Sequence, residues 1–169
     1  PGRNDAFLEI NHSVNAKEYV DWKYDILQNI VQSPPKERIS GADRKAYRFF
    51  TRQHSEITDF WKIFYKNNRK IIPKDLQLDA YALAVWYMDD GSCTSKGDVY
   101  LNTQQFSMRD QRRLLYVLRQ LGIHARLNKD KKYYRIRILK KSVPTFFSII
   151  RPHIIPSMRY KLSDDPVET

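Results

Sequence analysis

The sequence predicts an α+β fold built from two related halves, each mixing helices with antiparallel strands. Three observations carry this expectation. The order strand, helix, strand, helix and then Ile-Ile-Pro occurs twice within 169 residues. The helical segments space their apolar residues at a period of 3.6, whereas the strand segments alternate at a period of two. A third kind of segment, 79–90, lies between the halves and is apolar almost all round, as buried helices are.

Each element can be justified in turn. Leu8-Glu9-Ile10-Asn11 reads as a strand and answers Tyr100-Leu101-Asn102-Thr103. A helix over 16–31 sets Tyr19, Trp22, Ile26, Leu27 and Ile30 on one face; its counterpart over 108–121 does so with Leu114, Leu115, Val117, Leu118 and Leu121. Ser107 is positioned to cap that second helix and Gly122 to stop it. The strand 47–52 answers 134–138. Helices over 55–65 and 142–151 then carry Phe60, Trp61 and Phe64 against Phe146, Phe147 and Ile150. Ile71-Ile72-Pro73 answers Ile154-Ile155-Pro156. These correspondences divide the chain into repeats at 1–76 and 77–169. In the 79–90 helix, Ala82 and Ala84 are small enough to admit a second helix, and Leu83, Val85, Trp86 and Met88 are expected to be largely inaccessible.

Composition narrows the function. Thirty Lys and Arg face 19 Asp and Glu, a formal charge of +11 with a pI near 9.7. Such a balance favours a polyanionic partner, of which nucleic acid is the commonest. Aromatics at 13% argue against wholesale disorder. With one cysteine, Cys93, no disulfide can form within the chain, and Cys93 reads as an incidental small residue. His12, His54, His124 and His153 show no ligand spacing and read as structural or surface residues. No apolar run approaches a membrane span, and 1–5 lacks the apolar core of a secretory signal, so an intracellular setting is expected.

The charge is concentrated. Between His124 and Lys141 stand eight cations against Asp130 alone. Arg126 and Asn128 alternate with Ala125 and Leu127, and Tyr133, Arg135 and Arg137 with Tyr134, Ile136 and Ile138. One face of such a ribbon meets the core and the other faces outward, with 128–132 as the turn. A two-stranded ribbon fits the major groove of DNA, where Arg pairs with guanine and Asn or Gln with adenine. Lys129 and Lys131 would add phosphate contacts. The first half carries a weaker version in Arg44, Lys45, Arg48 and Arg52, beside Thr51 and Gln53.

Chemistry points to Asp89 and Asp90. Asp disfavours a helix C-terminus, where the dipole is already negative, and adjacent carboxylates repel unless a cation neutralises them. A hard divalent ion with oxygen ligands does so. A solvated Asp-Asp-Gly turn closing the helix is the competing reading.

Leu83-Ala84-Val85-Trp86-Tyr87-Met88-Asp89-Asp90-Gly91 resembles the signature helix of the LAGLIDADG homing endonucleases and the related group I intron maturases. Ser33-Pro34-Pro35-Lys36, Lys70-Ile71-Ile72-Pro73, Leu101-Asn102-Thr103-Gln104 and 155–162 are similar to segments of the monomeric, two-repeat branch. The resemblance implies two αββαββα repeats whose antiparallel sheets lie on DNA, and sequence-specific cleavage of double-stranded DNA with Mg²⁺ or another divalent cation such as Mn²⁺. It implies that Asp90 is a catalytic, metal-binding acid with Asp89 assisting, that Lys70 and Lys161 flank the active centre, and that Gln104 joins the nucleic-acid contacts. It leaves open an RNA-binding maturase or an inactive ribonucleoprotein component, and it implies an organellar or bacterial setting. By the repeat offset, the partner of Asp90 would stand ahead of Pro1. The first repeat is therefore expected to lack its signature helix, and the second acid to come from a longer protein or a second chain.

Overall fold

The computed structural model describes residues 5–40 and 44–162; the reading of 1–4 as part of an N-terminus without a secretory signal falls outside them. The chain forms two compact units, 1–65 and 66–169.

In the first unit, β1 (Glu9–Ser13) leads to α1 (Lys17–Leu27), and then to β2 (Lys36–Ser40), β3 (Arg44–Phe50) and α2 (Ser55–Phe64). The three strands are antiparallel in the order β1-β3-β2. Val20 of α1 closes a core with Val31, Tyr47 and Phe49, with Ile10, Tyr24 and Leu27 packed against it. The short strands β4 (Tyr65–Lys66) and β5 (Arg69–Lys70) follow. They are joined by Asn67 and Asn68, both at positive φ, which is the backbone a type I′ hairpin demands.

The second unit is complete as αββαββα: α3 (Ala80–Asp90), β6 (Gly91–Cys93), β7 (Val99–Leu101), α4 (Met108–Gln120), β8 (Ala125–Asp130), β9 (Tyr133–Ile138) and α5 (Val143–Ile150). Its sheet runs β6-β7-β9-β8. Removing β6 leaves the strand order of the first sheet, so β1, β3 and β2 answer β7, β9 and β8. The expected α+β class, with antiparallel sheets and a repeated topology, is what the chain adopts.

Local chemistry explains the boundaries. Ser107 caps α4 by accepting from the Asp110 amide at 3.2 Å, while its hydroxyl donates to Asp110 Oδ2 at 2.6 Å. At the other end, Gly122 takes φ +73°. Its amide reaches Arg119 O and that of Ile123 reaches Leu118 O, with Ile123 and Leu118 both fully buried. This is a Schellman stop, available cheaply only to glycine.

Three expectations need correction. Leu83, Ala84, Tyr87 and Met88 are the buried residues of α3, and Val85 and Trp86 are only half-buried. An all-apolar helix does not say which side meets the core; here α5 decides, setting Phe146 edge-on to Tyr87 at 5.2 Å. The buried face of α1 is Tyr19, Val20 and Lys23, not the stripe through Ile26 and Ile30, which are 50% and 38% exposed. Residues 28–30 tighten into a 3₁₀ turn, which rotates Ile30 out of phase. Finally, β8 extends through Asn128, Lys129 and Asp130, so the turn is Lys131-Lys132 alone, with Lys131 at φ +55°.

Gly91 is held by space, not by backbone angle, since its φ is −83°. A Cβ there would stand 2.0 Å from the Tyr87 ring and 2.4 Å from Tyr87 O. Gly91→Ala should therefore destabilise the protein by about 1–3 kcal/mol, the range of overpacked cores, read as a lower denaturation midpoint by circular dichroism.

Candidate active site and nucleic-acid interface

The C-terminal end of α3 presents Asp89, exposed, and Asp90, half-buried. The carbonyls of the last turn, Tyr87 to Asp90, all find donors, the first along the helix and the other three from outside it. The Gly91 amide donates to Tyr87 O. Lys161 Nζ donates to Met88 O at 2.5 Å and reaches Asp89 O at 3.4 Å, and the Asn102 amide donates to Asp90 O at 2.9 Å. Tyr87 OH in turn donates to Lys161 O at 2.5 Å. Burial pushes the Tyr87 phenol far above its usual range, with the nearby Cys93 adding to the effect, so it remains a donor throughout ordinary pH. An ammonium at the negative end of the helix dipole also offsets the cost of two carboxylates there.

Two adjacent carboxylates are hard oxygen donors. Among the described residues no set of three or more His, Cys, Asp or Glu gathers as a cage. That donor set suits Mg²⁺, which commonly takes one or two carboxylates and completes its shell with water and substrate phosphate.

The second sheet presents its polar face in register. Arg137 stands opposite Arg126 and Tyr100, and Arg135 opposite Asn128. Arg135 lies over the Tyr100 ring at 4.0 Å, with Nε 3.7 Å from Asp130. Arg137 donates to Asp98 Oδ1 at 2.7 Å, and Lys140 Nζ lies 3.2 Å from the same oxygen. Lys129 pairs with Tyr134 and so shares the face of Leu127, not that of Arg126 and Asn128. Lys131 is exposed at the hairpin tip. Gln104 lies beyond β7 in a turn closed by the Phe106 amide on Thr103 O at 3.0 Å.

In the first sheet, Arg48 pairs with both Asn11 and Lys36, and Arg38 lies two residues along β2 on the same face. Arg48 NH1 reaches Glu9 at 3.1 Å, and its guanidinium lies 5.2 Å from the Phe50 ring. Arg52 is exposed past the end of β3. The structure thus brings Arg126, Asn128, Arg135 and Arg137 onto one face, and Arg48 onto another with Lys36 and Arg38. Lys161 reaches α3. Lys70 lines a separate cleft with Ile72 and Arg109.

Sequence reading missed Lys36 and Arg38, although Lys-Glu-Arg-Ile-Ser alternates as a strand should. It also missed Asp98, whose role depends on a contact spanning 39 residues. The histidines serve locally: the His54 ring accepts from the Glu56 amide at 3.2 Å to cap α2, and His153 stands edge-on to Tyr81. Cys93 lies half-buried in β6, and burial raises its thiol above the usual value.

The family model described as the LAGLIDADG DNA endonuclease family matches residues 1–146. A cytochrome b mRNA maturase bI2 from Debaryomyces hansenii is 32% identical, over 74% of this chain and 49% of its own length. A probable intron-encoded endonuclease 1 from Wickerhamomyces canadensis is 31% identical, over 95% of this chain and 75% of its own. This chain therefore spans about half the length of the Debaryomyces maturase. The homing endonuclease I-WcaI, solved bound to its DNA recognition sequence, superposes with a TM-score of 0.85 at 26% identity, covering 98% of this chain and 79% of that one.

Asp98 offers a test of how Arg137 is held. The hydrogen bond from Lys140, then that from Arg137, keeps its carboxyl below the usual value of 3.8. A carboxylate with a depressed folded-state value contributes stability above its unfolded value and loses it as pH falls through the folded one. Asp98→Asn should lower the melting temperature at neutral pH, and the gap from wild type should close below the ordinary value of 3.8. A gap that persists unchanged into that acid range would show that the ion pairs are not its source.

Proposed function

The chain belongs to the LAGLIDADG DNA endonuclease family, and from that premise we propose that it acts in a metal-dependent endonuclease that cuts double-stranded DNA at a long, specific site. The observation that carries the reading is one unit presenting both parts. Asp90 ends a helix that adjoins the same sheet whose outer face carries Arg126, Asn128, Arg135 and Arg137. Its repeats are proposed to run over 1–76 and 77–169. Intron-encoded relatives support an intron-borne setting. No helix among the described residues is long and apolar enough to cross a membrane.

Endonucleases of this family generally depend on divalent metal. In this chain Asp90, with Asp89 beside it, would hold Mg²⁺. The bound cation would supply an activated water and neutralise charge on the phosphodiester. Lys161, anchored on the carbonyls of α3, keeps a positive charge beside the two acids, where it would stabilise charge developing on the phosphate. Lys70 is assigned a like role for the other strand. Two-metal cleavage needs a second signature acid, from another part of the protein or a second chain. The outer faces of the two sheets would read bases, with Arg48, Arg52 and Gln104 contributing. Lys131, exposed at the hairpin tip, would contact phosphate at the rim, whereas Lys129, on the opposite face of β8, is left out of that contact.

A second reading, an RNA-binding maturase, is supported by the maturase relative at 32% identity. Salt-matched competition decides: duplex DNA should outcompete structured intron RNA, and the reverse order would favour the maturase.

Two sets of substitutions test the site. In a protein holding both signature helices, Asp90→Asn should abolish Mg²⁺-dependent cleavage and leave duplex binding intact or tighter, because the amide keeps shape but loses the charge that holds the metal. Cleavage that survives the change would place the metal elsewhere. Arg135→Ala should relax preference at particular base positions, by about 1–3 kcal/mol at the affected pair. Lys131→Ala should instead weaken all sequences alike and reduce the salt slope by about one.

A further inference from the structure

The cations used so far lie on the sheets or at the end of α3. A further set lies along α4. Arg109, Arg112, Arg113 and Tyr116 follow one another at helical spacing, and all four line clefts on one flank of that helix. The larger cleft encloses about 1360 Å³, and its facing wall is the hairpin and strap 66–74, which adds Lys66, Arg69 and Lys74. Lys70, already assigned to cleavage, lines it too. The only acid in either lining is Asp110, which is 5% exposed. It is consumed internally: Oδ1 takes the Ile72 amide at 3.3 Å and Arg113 at 3.1 Å, and Oδ2 takes the Ser107 hydroxyl at 2.6 Å. Arg113 also donates to Ile72 O at 2.6 Å, so both walls are tied together through one residue pair.

This groove is not part of the sheet face. Leu114, Val117 and Leu118 are the buried side of α4, and α4 packs on β8 and β9, whose inward residues Ile136 and Ile138 are buried. The flank of α4 therefore lies on the opposite side of that sheet from Arg135 and Arg137. Tyr116, 65% exposed, lines the smaller cleft, and half-buried Phe106 lines the larger. Cations along a concave track together with an exposed aromatic ring are what a single strand requires: phosphates meet the cations and an unpaired base stacks on the ring. Paired bases in a duplex cannot offer those faces.

We propose that the α4 flank is a second nucleic-acid site, which binds a single strand with its phosphates along Arg109, Arg112 and Lys74 and a base on Tyr116. This goes beyond the cleavage reading and does not depend on it. The test uses the 1–169 chain and fluorescence anisotropy with labelled single-stranded RNA, single-stranded DNA of the same sequence, and a DNA duplex of equal length. Tyr116→Ala should weaken single-strand binding about tenfold, the scale of one lost base stack. Arg109→Gln with Arg112→Gln should flatten the log–log salt slope for single strands by roughly 1.4. Duplex binding should stay within about twofold in both variants, and Tyr116→Phe should restore the strand affinity. All three residues are exposed, so circular dichroism should show an unchanged fold. RNA and DNA strands bound alike would assign the site to phosphates and bases alone; RNA bound more tightly would add contacts to the 2′-hydroxyl. Parallel loss of duplex and single-strand binding would make the groove part of the duplex interface and overturn the proposal. Unchanged binding of every probe would overturn it as well. The sheet reading fails by a different result, namely duplex affinity and preference indifferent to Arg135→Ala.

Discussion

The end of α3 is the constraint on which the second unit depends. A helix carrying two carboxylates at its C-terminus adds negative charge where the backbone already has four carbonyls in need of donors. The protein supplies those donors from three places in the sequence: Gly91, Asn102 and Lys161. Each comes with a geometric condition. Gly91 can start β6 against the Tyr87 ring only because it has no Cβ. Tyr87 can reach Lys161 O only because its ring lies flush beside Gly91 and under Phe146. Lys161 closes the loop, accepting from Tyr87 through its backbone while its side chain donates to the helix that Tyr87 sits on. Acid placement, core packing and the position of the Lys161 ammonium are thus one arrangement.

The sheet faces follow a second rule. The arginines of the sheet faces are not left loose. Arg137 is held by Asp98, Arg135 lies over Tyr100 beside Asp130, and Arg48 is held by Glu9. Such exposed or half-exposed pairs contribute little to stability, but they limit the rotamers an arginine must give up on binding.

The two units show how far a repeated pattern can diverge in burial. Phe146, Phe147 and Ile150 of α5 are inside, whereas Phe60, Trp61 and Ile63 of α2 are 62%, 44% and 51% exposed. Both helices have an apolar face of the same kind. The α5 face packs on α3, whereas no residue of α2 is buried.

The sequence by itself determined much of what depends on neighbouring residues: the repeated order of strands and helices, Ser107 and Gly122 at the ends of α4, and the alternation that puts Arg126, Asn128, Arg135 and Arg137 on one face. It also singled out Asp89 and Asp90, because two acids closing an apolar helix repel each other unless a cation neutralises them. Tertiary structure decided what depends on distant partners. Val85 and Trp86 are as apolar as Leu83, and only the position of α5 separates them. Lys129 looked like its neighbours until two more paired residues in β8 turned it to the other face. Asp98 and Asp110 carry no local mark; their roles arise because Arg137 and Ile72 arrive from 39 and 38 residues away. A hydrogen bond or ion pair across such a span leaves no periodicity in the chain, so it becomes visible only when the fold brings its ends together.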